Sequence, residues 1–587
     1  MQIKTLHLKG FRNFKDSTIN FTDKSLLIGS NDVGKTNLLY ALRILMDRSL
    51  SDSDIEPKQT DFFAYEPTYE LSIQICFTNI VEDCIIAKLR ENVSDEGNLI
   101  LEYKAFIDPK SNQLSYKIFI GKDDKSLVEI ENRFYLRVLN LKFIGSRRDL
   151  ISFIRQEKQR LLEESRINRD QKKIDEDTQI LGEIESGLST VNEKITSLSY
   201  VQAATTGINS QLGELSYHNQ SQNVVFDVGA SDPSAFIDDL QLASKIKGKS
   251  VVIGGEGRNN QIHLALWSTR NQMRRDKNQD LLEVCFFCIE EPEAHLHPHQ
   301  QRKLAKYLTT TIEGQVIITS HSPQIACEVP PSSIIRLYFN GEGTKAAGNG
   351  INPFIEAKFI EFGYRLNIMS AEVFFADLVF LVEGPSEELL YKALANAIGV
   401  DLDKYNISVL MVDGVGFKPY ASLLNSLKIP FVMRTDNDIF KIPKQEKYRL
   451  AGVQRAVDIF TMIFSPDEEM KSLLQDIDKL SGFDTPIPPH DIVDYSNRLI
   501  SKLQQNGIFL SGIDLEHDLF HLIPKIVAEY LGIEQEEDIV VEMQKRKATF
   551  MFDFIRNNPK ILAQLIATSL AEPLQYCRTL AEAIYGT

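Results

Sequence analysis

Gly29-Ser30-Asn31-Asp32-Val33-Gly34-Lys35-Thr36 fills every position of the G-x-x-x-x-G-K-[ST] pattern and follows the apolar run Leu26-Leu27-Ile28. In such a loop the glycines let backbone N–H groups turn inward around a phosphate, and the following helix directs its positive end to the same point. Lys35 would reach the β- and γ-phosphates of a nucleotide, and the Thr36 hydroxyl would ligate Mg²⁺. A chance glycine turn is the alternative. The residues expected to bind the nucleotide are Asn31, Asp32, Gly34, Lys35, Thr36 and Asn37.

The strand that should complete this site comes only about halfway along the chain. The apolar run from Cys285 to Ile289 ends in Glu290 and Glu291. An acid at the end of such a strand can hold the Mg²⁺ shell and the next can polarise the attacking water, so we expect these roles for Glu290 and Glu291. A compact nucleotide kinase closes its site within one short domain. The wide separation therefore predicts a large insertion between two lobes of one ATPase.

Two further segments add to this prediction. The apolar run from Gln315 to Thr319 ends in Ser320-His321-Ser322, where His321 could sense the γ-phosphate, although a single histidine at a strand end is often structural. The glycine-rich segment from Ile253 to Gln261 precedes an apolar helical segment, so its amides would favour an anion. Its position resembles the signature segment of ABC-type ATPases, which touches the γ-phosphate bound by a second subunit. That resemblance implies a dimeric ATPase.

Composition limits the class of protein. The 587 residues allow about three or four domains. The net charge of −16 argues against a uniformly basic surface and leaves only small basic clusters. These clusters are Arg147-Arg148, Lys245 to Lys249 and Arg274 to Lys277. The six cysteines form no secretory framework, and we find no signal peptide and no apolar run long enough to span a bilayer, so we expect a cytoplasmic protein without membrane contact.

Residues 149–198 differ in composition from the lobe before them. They are rich in Glu, Lys, Arg, Gln and Leu, and their apolar residues recur at helical spacing. This pattern predicts paired helices. They would form either a short dimerisation arm or an amphipathic hairpin packed on the lobe.

Four motifs in this order carry a resemblance to a known branch of ATPases. They are Gly10-Phe11-Arg12-Asn13-Phe14, the phosphate-binding loop, Glu290 to Pro298, and Thr319 to Pro323. The series resembles the RecF/SMC-type branch of ABC ATPases. That branch works on DNA, so the resemblance implies a nucleic-acid partner.

The second half of the chain contains two acidic motifs, each after an apolar run. Residues 377–382 lead into Glu383-Gly384-Pro385-Ser386-Glu387, and residues 430–434 lead into Thr435-Asp436-Asn437-Asp438. In an extended segment, residues two apart point the same way, so Asp436 and Asp438 can present two carboxylates to one spot. Hard divalent cations prefer such oxygen ligands, and phosphodiester hydrolysis can use one or two of them. The alternative is that the acids only decorate two loops.

E-G-x-x-E followed by D-x-D is similar to the Toprim pattern. A RecF/SMC-like ATPase followed by Toprim resembles the overcoming-lysogenization-defect (OLD) family of endonucleases, which includes the nuclease subunit of Gabija anti-phage systems. The resemblance implies a metal site formed by Glu383, Glu387, Asp436 and Asp438, with Asp514 and Glu516 as further ligands or the base.

A basic residue should stabilise charge on the cleaved phosphate. Lys547 best matches the family's lysine, and Lys545 is its close competitor. The residues expected to take part in catalysis are Glu383, Asp436, Asp438, Glu516, Lys547 or Lys545, and Glu291 in the ATPase.

The predicted fold class is α/β, with a RecF/SMC/ABC-type ATPase head, an inserted helical dimerisation segment and a C-terminal Toprim domain. The expected domains are an ATPase N-lobe at 1–148, a helical insertion at 149–245, an ATPase C-lobe with the signature segment, acidic strand and His321 at 246–370, and a Toprim nuclease domain at 371–587.

The resulting hypothesis is an ATP-binding DNA endonuclease of the OLD type, dependent on Mg²⁺ or Mn²⁺, that acts in anti-phage defence. Expected partners are DNA, further copies of the chain in a homodimer or higher homo-oligomer, and a helicase-like (Gabija) protein or a retron. The alternative is a DNA-sensing ABC-type ATPase whose Toprim domain is a scaffold without nuclease activity.

Overall fold

The computed structural model describes residues 1–145, 150–215, 283–294, 296–348, 371–412 and 416–585, and between 216 and 282 it describes only 224–226, 243–246, 249–252 and single residues. The chain divides into two compact units. One contains Met1–Ile144, Glu283–Glu293 and His297–Thr587, and the other contains Gly145–Leu282 and Ala294–Leu296. The first therefore includes both the phosphate-binding loop and the acidic motifs of the second half.

The strands of the larger unit are β1 (Gln2–Phe11), β2 (Phe14–Asn20), β3 (Lys24–Ile28), β4 (Glu70–Thr78), β5 (Leu99–Ile107), β6 (Leu114–Gly121), β7 (Val128–Ile130), β8 (Leu139–Ile144), β11 (Val284–Glu290), β12 (Val316–Thr319), β13 (Ile334–Phe339), β14 (Thr344–Ala347), β15 (Leu378–Val382), β16 (Ile407–Met411), β17 (Phe431–Thr435), β18 (Ile439–Lys441), β19 (Tyr448–Leu450), β20 (Ser481–Phe483) and β21 (Ile508–Leu510). The smaller unit contains β9 (Ala243–Ile246) and β10 (Lys249–Val252), which pair antiparallel.

The helices of the larger unit are α1 (Lys35–Met46), α2 (Asp83–Leu89), α6 (Pro298–Thr310), α7 (Pro323–Ala326), α8 (Pro385–Ala397), α9 (Phe417–Ser426), α10 (Ala451–Ile463), α11 (Glu468–Leu474), α12 (His490–Gln504), α13 (Leu515–Leu522), α14 (Pro524–Leu531), α15 (Glu536–Lys545), α16 (Lys547–Asn557) and α17 (Glu572–Tyr585). Those of the smaller unit are α3 (Leu150–Ile167), α4 (Gln171–Thr196) and α5 (Ser199–Leu215). Of the helices described, none combines the length and apolar character needed to cross a membrane.

The N-terminal sheet is antiparallel, with strand order β2-β1-β4-β5-β6-β7. Alternation along β1 explains its orientation, because Leu6 and Leu8 are fully buried whereas Lys9 is exposed. This sheet contributes most of its apolar face to a core that also contains α1. The core holds α1, and with it the phosphate-binding loop, against the sheet.

The second sheet, in the order β14-β13-β3-β12-β11-β8, is parallel except for its edge strand β14. Its central strands are continuously apolar because both faces are covered; all four residues of β12 are buried. β11 returns to the sheet from the far side of the insertion and lies between β8 and β12. The phosphate-binding loop and the acids after β11 consequently emerge at one edge.

A third sheet forms the centre of the C-terminal half. Its order is β16-β15-β17-β21, and all of its strands are parallel. Every residue of β15 and of β17 is buried. β18, β19 and β20, which come between β17 and β21 in the sequence, form a small antiparallel sheet. Residues that follow β15, β17 and β21 leave at the same carboxyl edge.

The smaller unit is mainly helical. Residues 149–198 contain α3 and α4, as their composition predicts, and α5 follows directly. No residue of α4 is buried. Several predicted features lie outside the described residues. They are the signature segment 253–261, the basic clusters 147–148 and 274–277, and residues 247–248 of the basic cluster 245–249.

Gln315, at the start of β12, joins the first two sheets. Its side-chain Nε2 donates to Ile3 O and to Thr22 O, both at 2.9 Å, and its Oε1 accepts from Ile3 N at 2.7 Å. Gln315 and Ile3 are buried, so the two Ile3 groups rely on this side chain, whereas Thr22 O also accepts from Ser25 Oγ at 3.3 Å. One amide therefore connects the amino-terminal strand to a strand that follows the insertion.

We predict that Gln315→Leu lowers the thermal midpoint of the ATPase head by several degrees. The substitution removes the side-chain partner of the buried Ile3 N–H and C=O, at about 1 to 3 kcal/mol for each group left unsatisfied. Hydrogen exchange should show faster exchange of the Ile3 amide, which loses its acceptor. Gln113→Leu, at an exposed turn position, is the control. Unchanged exchange at Ile3 in Gln315→Leu would contradict this role.

Candidate functional site

The phosphate-binding loop is held by hydrogen bonds to Asn13, which belongs to the Gly-Phe-Arg-Asn-Phe motif. Asn13 Nδ2 donates to Val33 O at 2.6 Å, and Asn13 Oδ1 accepts from Asn37 Nδ2 at 2.8 Å. Gly34 has a φ of 108°, and a Cβ atom there would lie 2.1 Å from Asn13 Nδ2. Glycine is therefore required at Gly34 both by conformation and by space. Asn31 and Asp32 are exposed at the tip of the loop.

The Lys35 ammonium is folded back into its own loop. Lys35 Nζ donates to Gly29 O at 2.9 Å and to Ser30 O at 2.8 Å. Burial lowers the pKa of Lys35 to about 8, although nearby Glu291 and Asp32 favour its charged form. The cation is thus enclosed at the position from which it can meet a phosphate.

One hydrogen bond joins the predicted Mg²⁺-shell residues of the two halves of the ATPase. Thr36 Oγ1 donates to Glu290 Oε1 at 2.6 Å, across 254 residues of sequence. Glu290 is aligned with Thr319 in β12, and Thr319 is aligned with Leu27 in β3. The parallel register therefore brings the predicted Mg²⁺-shell residues Thr36 and Glu290 together.

The other acids after β11 form a polar cluster with His321. Glu291 has a positive φ of 44°, and its side-chain Oε1 lies 3.8 Å from His321 Nε2. Glu293 Oε1 accepts from Ser320 Oγ at 2.8 Å and from the His321 backbone N–H at 2.7 Å. Burial raises the pKa of Glu293 and lowers that of His321, where Lys35 acts in the same direction. Sequence reasoning assigned Glu293 no part in the site and missed these contacts.

The second candidate site lies at the carboxyl edge of the third sheet. Glu383 follows β15, Asp436 follows β17 and Ser511 follows β21. β15 and β17 are neighbours, with Leu381 aligned with Met433. Side chains that leave adjacent parallel strands at this edge converge, as ligand sites in open α/β sheets do.

Glu383 and Asp436 are joined through the backbone. Glu383 Oε2 accepts from the Asp436 backbone N–H at 3.0 Å and from Thr435 Oγ1 at 3.3 Å. Asp436 Oδ1 in turn accepts from Ser511 Oγ at 3.1 Å. Burial, together with Glu383 and Glu387, raises the pKa of Asp436 to about 8. A buried carboxyl next to other acids is a site prepared for a positive charge.

Glu387 lies at the start of α8. Its Oε2 accepts from the Gly384 backbone N–H at 3.1 Å, so it closes the turn of the E-G-x-x-E motif. Burial raises the pKa of Glu387, and Glu383 and Glu516 add to the increase. The residue thus has a structural task in addition to its predicted place in a metal site.

Asp438 is held by α10. Ala451 N donates to Asp438 O at 2.8 Å, which fixes the start of the helix on the D-x-D segment. A Cβ atom on Gly452 would lie 2.3 Å from Asp436 O, so only glycine permits this approach. Burial and Glu383 raise the pKa of Asp438.

Arg455, one turn into α10, was not found by sequence reasoning. Its Nη2 donates to Thr435 Oγ1 at 2.6 Å, to Asp436 O at 3.0 Å and to Asp438 Oδ2 at 3.3 Å. The same nitrogen lies 3.7 Å from Glu383 Oε2. Arg455 belongs to no local motif; the available signal was a helix that follows closely after D-x-D.

Residues 511–547 complete the edge. Asp514 caps α13, where its Oδ1 accepts from His517 N at 2.9 Å and its Oδ2 accepts from Gln544 Nε2 at 2.6 Å. Burial would raise the pKa of Asp514, but these hydrogen bonds together lower it. Glu516 is buried, and its Oε2 lies 3.1 Å from Lys547 Nζ.

The two candidate lysines have different surroundings. Lys547 pairs with a buried carboxylate of the site, whereas exposed Lys545 donates to Glu542 Oε2 at 2.9 Å. Burial would lower the pKa of Lys547, but Glu516 raises it, so the ammonium stays charged. The geometry favours Lys547 as the cation of this edge.

The donor types at this edge fit a hard divalent cation. Glu383, Asp436 and Asp438 offer carboxylate oxygens, and burial, together with Glu383, raises the pKa values of both aspartates. Within the part of the chain that the structure describes, however, no three acidic, histidine or cysteine side chains are close enough to hold a metal ion as they stand. Arg455 lies among the acids instead.

Both candidate sites match known family models. The model for the AAA ATPase domain matches residues 1–227 and 147–326, which is more than half of the chain. The model described as "Overcoming lysogenization defect protein-like, TOPRIM domain" matches residues 374–438. Endonuclease GajA of Bacillus cereus (strain VD045) is 26% identical over 579 residues, covering 95% of each chain. The chain belongs to the family with an AAA ATPase domain, and it carries an OLD-like Toprim domain. The predicted fold class, an ATPase head followed by a C-terminal Toprim domain, is confirmed, as is the prediction of a nuclease enzyme with an ATPase domain.

Other similarities are more distant. The Old nuclease of Escherichia phage P2 is 23% identical over 473 residues, covering 75% of this chain and 77% of that relative. The solved structure of the SmcHead bound to the C-winged helix domain of ScpA covers 59% of this chain and 97% of its own, with 14% identity and a TM-score of 0.35. The Toprim match ends at Asp438, so Arg455, Asp514, Glu516 and Lys547 lie beyond it.

Arg336 connects the ATPase sheet of this chain to the Toprim sheet. It is aligned with Ile28, directly before the phosphate-binding loop. Its Nη1 donates to Lys428 O at 2.8 Å, and its Nη2 lies 3.7 Å from Asp377 Oδ1. Asp377 directly precedes β15, and Lys428 shortly precedes β17. One buried guanidinium thus contacts the starts of both strands that end at the acidic site.

We predict that Asp436→Asn stabilises the metal-free protein at alkaline pH. The pKa of Asp436 is about 8 in the folded state against 3.8 ordinarily, so between these values the folded state binds more protons than the unfolded chain. The free energy of unfolding therefore falls as pH rises through this window, and asparagine escapes the loss. In EDTA, thermal unfolding should give the variant a midpoint a few degrees higher at about pH 9, with the difference closing towards about pH 4.

Asp484→Asn, which changes an exposed aspartate of the same half, is the control and should show no such pH-dependent gain. If the Asp436→Asn variant is no more stable than the wild type at alkaline pH, ionisation of Asp436 does not destabilise the folded protein.

Proposed function

We propose that this chain is an ATP-binding, divalent-metal-dependent DNA endonuclease of the OLD family that acts in anti-phage defence. The observation that carries the proposal is the convergence of Glu383, Asp436 and Asp438 at one sheet edge, with Lys547 paired to Glu516 nearby. A Bacillus cereus relative that matches over 95% of both chains is named an endonuclease, and this supports DNA as the substrate.

The acidic edge would hold Mg²⁺ or Mn²⁺. Ligands would come from Glu383, Asp436 and Asp438, with Glu387, Asp514 and Glu516 as further candidates. A bound cation supplies Lewis acidity and a more acidic water for phosphodiester hydrolysis. Lys547 is charged and would stabilise negative charge on the cleaved phosphate. Lys545, which pairs with Glu542, is the less favoured lysine.

The other site would bind ATP. The loop residues Asn31, Asp32, Gly34, Lys35, Thr36 and Asn37 would contact the nucleotide. Glu290 would share the Mg²⁺ shell with Thr36, Glu291 would polarise the attacking water, and His321 would sense the γ-phosphate. The short distances from Thr36 to Glu290 and from Glu291 to His321 support these roles.

ATP would control cutting through Arg336. A change at the phosphate-binding loop acts on β3 and on its neighbour β13, and Arg336 contacts the segments before β15 and β17. We also propose that residues 1–148 and 246–370 form the two lobes of the ATPase, residues 149–245 the helical insertion and residues 371–587 the Toprim nuclease domain. The helical insertion would join copies of the chain in a homodimer or higher homo-oligomer. A helicase-like partner or a retron would complete the defence system.

We predict that Glu383→Ala and Asp438→Ala each reduce nicking of supercoiled plasmid at least about 100-fold in Mg²⁺ or Mn²⁺, because each removes a carboxylate from the cation site. Gel analysis of nicked and linear products measures the effect. Asp484→Ala, at an exposed position, should cut like the wild type.

Metal-dependent cutting that survives both acidic substitutions would overturn the proposal. No cutting by the wild type with any tested DNA and cation would favour the alternative, a DNA-sensing ATPase with a Toprim scaffold.

We predict that Arg336→Met keeps ATP binding but loses the effect of ATP on the cleavage rate. Lys35→Ala should lose both, since it removes the phosphate contact. Nucleotide binding by isothermal titration and plasmid nicking with and without ATP separate the two outcomes.

Arg133→Met is the matched control, because the Arg133 side chain is also buried and its Nη2 donates to Leu50 O at 2.6 Å within the ATPase head. Arg336→Lys, which keeps a donor and the charge, should retain part of the ATP effect. A full ATP effect in Arg336→Met would exclude this connection.

A further inference from the structure

Arg455 lies at the point where a cation would be expected. Its Nη2 contacts Thr435, Asp436 and Asp438 and lies 3.7 Å from Glu383 Oε2. A single guanidinium nitrogen therefore faces both carboxylates on which the proposed metal site most depends. The contacts to Thr435 Oγ1 and Asp436 O orient it towards them.

The surrounding structure fixes this placement. The backbone of Ala451 and Gly452 donates to Asp438 O at 2.8 and 3.2 Å, so the start of α10 is attached to the D-x-D segment. Gly452 has no side chain to keep the helix away. The Phe417 ring lies 5.9 Å from the Arg455 guanidinium carbon. Helix, glycine and ring together direct the arginine to the acids.

The neighbouring cations are engaged elsewhere. Arg434 Nη2 lies 2.5 Å from Asp518 Oδ2, and Lys547 Nζ lies 3.1 Å from Glu516 Oε2. Arg455 is the cation whose contacts join Glu383 to Asp438. Its charge compensates two acids that would otherwise repel each other.

We propose that Arg455 is a positioning residue that holds Glu383 and Asp438 in the metal-free site and competes with the divalent cation for them. A hard cation needs direct contact with carboxylate oxygens, and Arg455 lies on one oxygen of each acid. The contact from Arg455 and a direct contact from the cation at the same carboxylate oxygens therefore exclude each other. The Arg455 side chain is 30% exposed, so the guanidinium has room to withdraw when a cation binds.

This inference rests on the proposed nuclease site and makes a prediction that a purely structural arginine does not. Removal of a competitor strengthens cation binding, whereas removal of a mere support weakens it. Arg455→Met should bind Mn²⁺ roughly threefold to tenfold more tightly than the wild type.

The experiment is a titration of the full chain with Mn²⁺, followed by electron paramagnetic resonance of free Mn²⁺, without nucleotide and without DNA. All proteins carry Thr36→Ala, which removes a proposed ligand at the ATPase site. Arg455→Lys should have an affinity near that of the wild type, since it keeps a cation. Arg498→Met, at an exposed position on α12, is the control. In EDTA, Arg455→Met should have a lower thermal midpoint than the wild type. Addition of Mn²⁺ should raise the midpoint of the variant by more than it raises that of the wild type.

Each outcome decides the question. Equal or weaker Mn²⁺ binding by a folded Arg455→Met protein overturns the competition. If Mn²⁺ binding is lost in Glu383→Ala yet unaffected in Arg455→Met, the metal site stands and only the inference fails. If the wild type binds no Mn²⁺ that depends on Glu383, both the inference and the proposed metal site fail.

Discussion

The hydrogen bond from Thr36 to Glu290 is the contact on which the ATPase depends, because it joins two segments separated by 254 residues. It exists only when β11 returns between β8 and β12 in the observed register. Parallel strands impose this condition, since their carboxyl ends share one edge whatever lies between them in sequence. A large insertion is thus compatible with the site, provided that it leaves β8 and β11 adjacent.

The same geometric rule builds the Toprim edge, with a different electrostatic result. In the ATPase, the Lys35 cation faces acids and can receive the phosphates of a nucleotide. In the Toprim sheet, acids outnumber nearby cations, so burial and mutual repulsion raise the pKa values of Asp436, Asp438 and Glu387. One edge is arranged to receive an anion and the other to receive a cation. Arg336 lies between the two sheets that form them.

Sequence reasoning located the residues that occur in short local motifs. The phosphate-binding loop, Glu290, Glu383, Asp436 and Asp438 each lie at or close after the end of an apolar strand, so pattern and position could be read together. Arg455, Arg336 and Gln315 act through contacts between distant segments, and no local pattern marks such contacts. For Lys545 and Lys547, the match to the family's lysine left both open, and only the packing of Lys547 against buried Glu516 separates them.

A cation held by the Toprim carboxylates is central to the proposed nuclease. The most direct measurement is anomalous diffraction from crystals soaked in Mn²⁺ with a short DNA duplex. We expect an anomalous peak among Glu383, Asp436 and Asp438, with Arg455 withdrawn from these acids and a DNA phosphate near Lys547. Anomalous peaks confined to Thr36 and Glu290, with Arg455 still paired to Glu383 and Asp438, would contradict it.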